Sequence, residues 1–309
     1  MHLLFALSLL SLATSARSSI IHGRQLTPAE TVARDVTPTV SGEAAISTDM
    51  AKLNNAPADY YLGYKEADFQ LPYAKYYNPV VTPISDDLVK GLAGSPWPSA
   101  FTYSAWEAHQ FLEEPGYLNL ENGWAISSNG TLMIAVRSEL PQVTGYQYDW
   151  WFGWHSVETA RYKLWNPIAH QYSYRTPYST NWTNQTYAER YIGATSYIDE
   201  YVGNDAAKLS IQFVHPESMG FNRTAWPELG IETIVIGYSL AEFDGVSYLM
   251  HQVRRMPNGY RELRSRFFID SKNYGTAQLG HDLAVHCNIE MTHLGSFLPA
   301  IFEEFKDTK

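Results

Sequence analysis

Cysteine is almost missing from this chain: Cys287 stands alone among 309 residues. An intrachain disulfide is therefore excluded, and with it the stapled scaffold of many small secreted domains, so stability must come from a core. Basic charge is also scarce. There are 22 Lys and Arg against 32 Asp and Glu, a formal net charge of −10, and no basic run of five or more. That balance argues against nucleic acid as a partner and against a polybasic membrane patch. Long apolar runs are missing too; Leu3 to Leu12 is the nearest approach and is too short to cross a bilayer, so no stable membrane insertion is expected. Nor are there internal repeats, which removes solenoid architectures. What remains is a globular chain with 14% aromatic and 17% charged residues, long enough for one large or two smaller domains.

The first 16 residues, MHLLFALSLLSLATSA, read as a secretory signal: a short apolar stretch followed by small residues. Four sequons fit that route, at Asn129, Asn181, Asn184 and Asn222. A glycosylated protein, secreted or held in the secretory lumen, is expected. Cys287 is read as a small buried apolar residue.

Residues 17–57 are small and polar and read as a loosely ordered leader, and residues 58–120, rich in Tyr, Pro and Trp, as an irregular accessory region of short elements. From residue 121 the pattern sharpens. An Asn-Gly turn joins two β-prone runs in WAISSNGTLMIAVR, a hairpin signal. PQVTGYQYDWWFGWHSVETARYKLWNP has helical spacing, with Trp151, His155, Glu158 and Tyr162 on one stripe and a stop at Asn166-Pro167. Gly153 inside that pattern costs about 1 kcal/mol against alanine, which close packing of another element would offset. Strand-like runs follow at 191–203, 208–214, 232–240, 246–255 and 260–270, the last two flanking the turn MPNG. A helical pattern, lightly broken at Gly295 and Pro299, closes the chain. The class is α+β: a curved antiparallel sheet gripping a long C-terminal helix around an apolar cavity.

The chemistry-bearing residues are few. His286 and Glu290 stand at i and i+4 on the last helix and reach the same spot, with Asp282 and His293 continuing that face. On a strand through TSYIDEYVG, Glu200 shares its side with Ile198 and Val202, so a buried carboxylate there demands a cation, a donor or a metal; if the tyrosines point inward instead, Asp199 takes that place. His155, set among tryptophans, is either a core histidine donating to a carbonyl or a third metal ligand. Glu158, one turn on, is a rival carboxylate or a supporting partner, and Glu189 and His170 are weaker rivals. His251 shares a strand face with Leu249 and Val253 and could pass protons in the cavity. Tyr148, Tyr197 and Tyr238 could hydrogen-bond a phenolic ligand.

GTLMIAVRSELPQVTGYQYDWWFGWHS, RYKLWNPIAH, YIGATSYIDEYVG and the His-x3-Glu of the final helix together resemble the diacetylphloroglucinol and phloretin hydrolase family, over roughly residues 115–305 with an echo in LPYAKYYNP. The resemblance implies a Bet v 1-like helix-grip catalytic domain at 121–309, dimerisation through the region at 58–120 to give a homodimer, and a divalent metal, usually zinc, held by two histidines and two glutamates. By resemblance these are His155, Glu200, His286 and Glu290. It implies hydrolysis of the carbon–carbon bond between a phenolic ring and an acyl group in an acylphloroglucinol or related polyketide. Trp151, Trp154, Tyr197 and Tyr238 would hold the aromatic substrate, and His251, Tyr148 and Glu158 would assist the chemistry. The signal and the sequons depart from the bacterial hydrolases and suit a fungal secondary-metabolite protein. Two further readings therefore stay open: a hetero-Diels–Alderase joining a tropolone-derived quinone methide to a terpene such as humulene, which needs only positioning, and a non-catalytic binder of small aromatics.

Overall fold

The computed structural model describes residues 61–240, 246–269 and 277–308; the signal and leader expected at 1–57 lie outside them. Period-two alternation gives eight antiparallel strands in one sheet: β1 (Gly123–Ile126), β2 (Leu132–Glu139), β3 (His170–Tyr174), β4 (Thr195–Val202), β5 (Asp205–Val214), β6 (Ile231–Leu240), β7 (Val246–Arg255) and β8 (Arg261–Ile269), ordered β1-β2-β8-β7-β6-β5-β4-β3. Among the helices are α1 (Asp86–Ala93), α2 (Ala108–Leu112), α3 (Gly145–Trp154), α4 (Thr159–Trp165), α5 (Trp226–Leu229) and α6 (Ala277–Phe305). The long α6 lies on one face of the sheet. This is the α+β helix-grip arrangement that the sequence pattern leads one to expect. No helix among the described residues is long and apolar enough to cross a membrane.

The sheet is apolar on both faces because both are covered. Its inner face joins α3, α4 and α6 in a core that includes Val136, Val235, Val253, Leu263, Met291 and Leu298. Its outer face packs Met133, Ile234, Ile236, Met250 and Phe268 against Leu112, Leu120 and Trp226. Charge also fixes the outer layer. Arg264 and Arg266, both fully buried, meet the Glu121 carboxylate at 2.6 and 2.5 Å. Burial alone would raise Glu121; the two guanidinium groups overcome this and hold it at about 2.

The structure departs from the sequence reading in three places. The segment read as one helix is two. Glu158 is extended (φ −145°, ψ 128°) between a 3-10 turn at His155–Val157 and α4, so Glu158 leaves the stripe shared by Trp151 and His155. The helix does stop at Asn166, as the following proline requires. β3 is not expected from the sequence, since its five residues are too few for a periodic signal. Finally, α6 runs on through Gly295 and Pro299: a Cβ on Gly295 would lie 2.7 Å from Leu140, so the glycine serves close packing of the helix on the β2 end. Gly153 has the same use, its missing Cβ lying 3.0 Å from the Cβ of Arg190.

α3 begins in a capping box, with Thr144 and Gln147 each accepting the other's backbone N–H. It is pinned to the sheet through Asp149, whose Oδ1 accepts from Tyr191 and Thr233, both at 2.8 Å. Burial pushes this carboxyl up to about 6, against a partial lowering by its two donors. A carboxyl raised on folding favours the native state below its unfolded pKa, and that advantage is lost as pH rises from about 4 through about 6. Asp149→Asn, which keeps an acceptor oxygen, is expected to remove roughly 2–3 kcal/mol of that pH-dependent loss. Urea unfolding at pH 4 and pH 8 checks this; an unchanged pH dependence in the variant would refute it.

Candidate metal centre

Register brings the polar groups together. β3 pairs with β4 so that His170 lies opposite Glu200, and both project to the inner face beneath α6, where His286 and Glu290 occupy successive turns. His170 Nε2 is 3.5 Å from Glu200 Oε2 and 3.4 Å from Glu290 Oε2. His286 Nε2 is 3.9 Å from Glu200 Oε2 and 3.5 Å from Glu290 Oε2. All four side chains are buried. Ligand atoms of His170, Glu200 and His286 fall within 4.8 Å of one another, as required of groups sharing one ion.

Each histidine is oriented by the backbone. His170 Nδ1 lies 2.9 Å from the Tyr162 carbonyl, and His286 Nδ1 lies 2.9 Å from the Tyr201 carbonyl. With Nδ1 donating, Nε2 presents its lone pair to the centre, the tautomer a metal needs. His170 Nε2 has no hydrogen-bond partner. The Tyr162 hydroxyl donates to Glu200, and its ring stacks on His170 at 3.7 Å and 7°. Two imidazoles and two carboxylates suit a divalent ion such as Zn2+ in charge and in donor type. Electrostatics agree. Burial alone would lower His286, but Glu200 and Glu290 outweigh it and raise the imidazole to about 9. Burial alone would raise Glu290, yet the two histidines bring it to about 2. The paired carboxylates thus demand positive charge between them.

The structure thereby gathers Glu200, His286 and Glu290 with His170 and leaves His155 out of the cluster. His155 Nδ1 sits 2.6 Å from the Trp151 carbonyl one turn back, its ring stacks on Trp151 at 5.0 Å, and burial lowers it to about 3. It is a neutral histidine closing the last turn of α3. Glu158 is remote as well, paired with Arg161 at 2.9 Å. Asp199 faces the opposite side of β4 and meets Lys208 at 2.6 Å, and Glu189 is an exposed carboxylate bound to Thr186. No sequence motif assigns Tyr162 to the site; its one signal is its place in RYKLWNPIAH, on the short helix that leads into His170.

Beside the centre, His251 Nδ1 lies 2.8 Å from Ser265 Oγ, with the rings of Tyr148, Phe152 and Phe267 around it; burial lowers this imidazole to about 4. The Tyr148 hydroxyl rests 3.4 Å from the sulfur of Met291, and burial sends its pKa well above the usual value. Trp151 lies on this inner side, edge-on to Trp165 and Phe297. Trp154 turns toward Tyr73, Phe305 and the Arg161 guanidinium. Tyr197 and Tyr238 sit on the outer face, beside Tyr174 and bonded to Gln212 respectively, so neither faces the histidine–glutamate cluster. Cys287 is fully buried, and burial raises its thiol well above the ordinary value. Asn129, Asn181, Asn184 and Asn222 are all exposed.

A buried cluster of two histidines and two glutamates between an antiparallel sheet and a long helix defines a class of α+β proteins with a candidate metal centre. Within that class, the profile of the DAPG hydrolase PhiG domain matches residues 104–303, and the chain belongs to this family. It is 29% identical over 295 residues to the 2,4-diacetylphloroglucinol hydrolase of Pseudomonas protegens, covering 86% of this chain and 95% of the relative. It is 27% identical over 266 residues to the phloretin hydrolase of Eubacterium ramulus, covering 80% and 95%. Among solved structures it is similar to Ara h 8.0201, at 7% identity and a TM-score of 0.36, covering 55% of this chain and 99% of that one.

The geometry separates the two histidines by experiment. His170→Ala is expected to abolish retention of a divalent ion, while His155→Ala keeps it; plasma mass spectrometry of the folded variants decides, and loss of the ion in His155→Ala alone would reverse the assignment. The turn after β4 is a second test. Gly203 has φ +62°, and a Cβ there would lie 2.3 Å from the Asp282 carboxylate, one turn ahead of His286. Gly203→Ala should push the turn off α6, disturb the Tyr201–His286 contact and weaken metal affinity about tenfold or more in a chelator competition; unchanged affinity would refute this.

Proposed function

We propose that this chain is a metal-dependent hydrolase of the carbon–carbon bond between a phenolic ring and an acyl group. The observation that carries the proposal is the convergence of His170, Glu200, His286 and Glu290, each histidine turned by a backbone carbonyl so that Nε2 faces the carboxylates. Family membership supports the reaction class, because the two relatives are hydrolases of diacetylphloroglucinol and phloretin by name.

The overall change adds water across the bond: the acyl carbon gains hydroxyl, and the ring carbon gains hydrogen. A divalent ion at the centre would polarise the acyl oxygen and make water more acidic. Tyr162 holds Glu200 in place, and the two carbonyls hold the imidazoles. His251, neutral and anchored through Ser265, is positioned to relay a proton toward the ring carbon, which leaves with the bonding pair. The Tyr148 hydroxyl, engaged only by a thioether, can donate to a ring oxygen. The rings of Phe152 and Phe267 beside His251, with Trp151, would exclude water from the reacting bond.

That same weakly engaged Tyr148 hydroxyl, set among aromatic walls, favours a second reading on this scaffold: a hetero-Diels–Alderase in which the donor activates a quinone methide carbonyl and the cavity positions a terpene. Secretion and N-glycosylation belong to the proposal as well, supported by four exposed sequon asparagines.

The purified chain is expected to hold about one divalent ion, to release the acid and free phloroglucinol from an acylphloroglucinol, and to lose that activity on chelation and regain it with zinc. Metal content and product chromatography on one preparation check this. An ion-loaded chain without cleavage would overturn the hydrolytic reading, and cycloaddition surviving chelation would establish the second.

A further inference from the structure

Burial on the inner face falls toward one end of the molecule, and it does so on four elements at once. On β8, Leu263 and Ser265 are fully buried, Phe267 is 8% exposed and Ile269 is half-buried. On β7, Val253 is fully buried, His251 nearly so and Leu249 half-buried. On β5, Phe213 and Ile211 are buried and Leu209 is half-buried. On α6, the face carrying Glu290 and His286 continues one and two turns back to half-buried Leu283 and Leu279. Register aligns the sheet positions: Leu249 lies opposite Phe267 and Gly237, one inward step from the His251–Ser265 pair. Gly237 has a structural reason to lack a side chain, since a Cβ there would lie 2.7 Å from Ile211 and 3.5 Å from Leu249; its absence lets those two lie across the sheet as a floor.

Leu209, Leu249 and Ile269 on the sheet, with Leu279 and Leu283 on the helix, thus form an aliphatic mouth at this end of the inner face, and all five pack onto the inner core. Aliphatic surface left half-exposed at an inward position gains by contact with hydrocarbon; on the same face β6 and β7 add only the uncharged Ser239 and Ser247 among the described residues, opposite one another one step beyond Gly237 and Leu249. We infer that this mouth takes a hydrocarbon arm of the substrate, so that the preferred ligand is a phenolic ring carrying an acyl chain longer than acetyl. The inference rests on the proposed site beneath it: the ring lies by His251 and Tyr148, and the arm runs outward between α6 and the sheet.

Binding of acetyl-, butanoyl-, hexanoyl- and octanoyl-phloroglucinol to the metal-loaded chain, measured by calorimetry, tests it. A fully buried methylene is worth about fourfold in affinity, and a half-buried one about twofold. Kd is expected to fall two- to fourfold per added methylene, and Leu249→Ala and Leu283→Ala should each flatten that slope. Circular dichroism and metal content confirm that the variants are folded and loaded. A flat series in the parent chain, or slopes unchanged in both variants, overturns the inference. Cleavage is assayed in parallel: a steep series without cleavage keeps the arm site and removes the hydrolytic reading, whereas cleavage with a flat series does the reverse.

Discussion

Two carboxylates that share a buried site cannot both be ionised without positive charge beside them. Glu200 and Glu290 are in that position, and much of the surrounding architecture answers to it. Each flanking imidazole is held by a carbonyl on its far nitrogen, so that the near one serves the carboxylates. The Tyr162 hydroxyl offers Glu200 a donor as well. Replacing any of these groups by an apolar one leaves charge uncompensated in a medium of low dielectric constant, which is far more costly than losing a surface ion pair.

The fold supplies this centre from parts that are far apart in sequence. One glutamate and one histidine face each other across a strand pair, and the other two residues are a single helical turn apart. Neither pair is complete alone, so the centre assembles only when α6 seats on the sheet. Three small contacts mark that seating: Gly203 against Asp282 and Gly280 against Trp124 near the start of the helix, and Gly295 against Leu140 near its end. Each depends on the absence of a side chain.

The sheet and the last helix were legible in the sequence because period-two and period-3.6 patterns persist there over many residues. The Glu200 side of β4 could be read for the same reason, and so could the shared face of His286 and Glu290. His170 was harder. It opens a five-residue strand after an Asn-Pro break, and its pairing with Glu200 is a fact of register that no local pattern encodes. His155 ends a run of tryptophans, and that run is part of the inner core. A histidine bound to the carbonyl one turn back is simply how this helix ends. Glu158 fits the same helical period in the sequence, yet its backbone is extended, and no local pattern marks that break.

Strand β8 faces two different worlds. Arg264 and Arg266 point outward to Glu121, while Ser265 and Phe267 point inward beside His251. A slip of one residue would exchange these sets, stranding two guanidinium groups in an apolar cavity and removing the partner of His251. The ion cluster on the back of the sheet therefore acts as a ratchet tooth. It fixes the phase of the strand, and through that phase it sets which side chains meet the ligand on the other face.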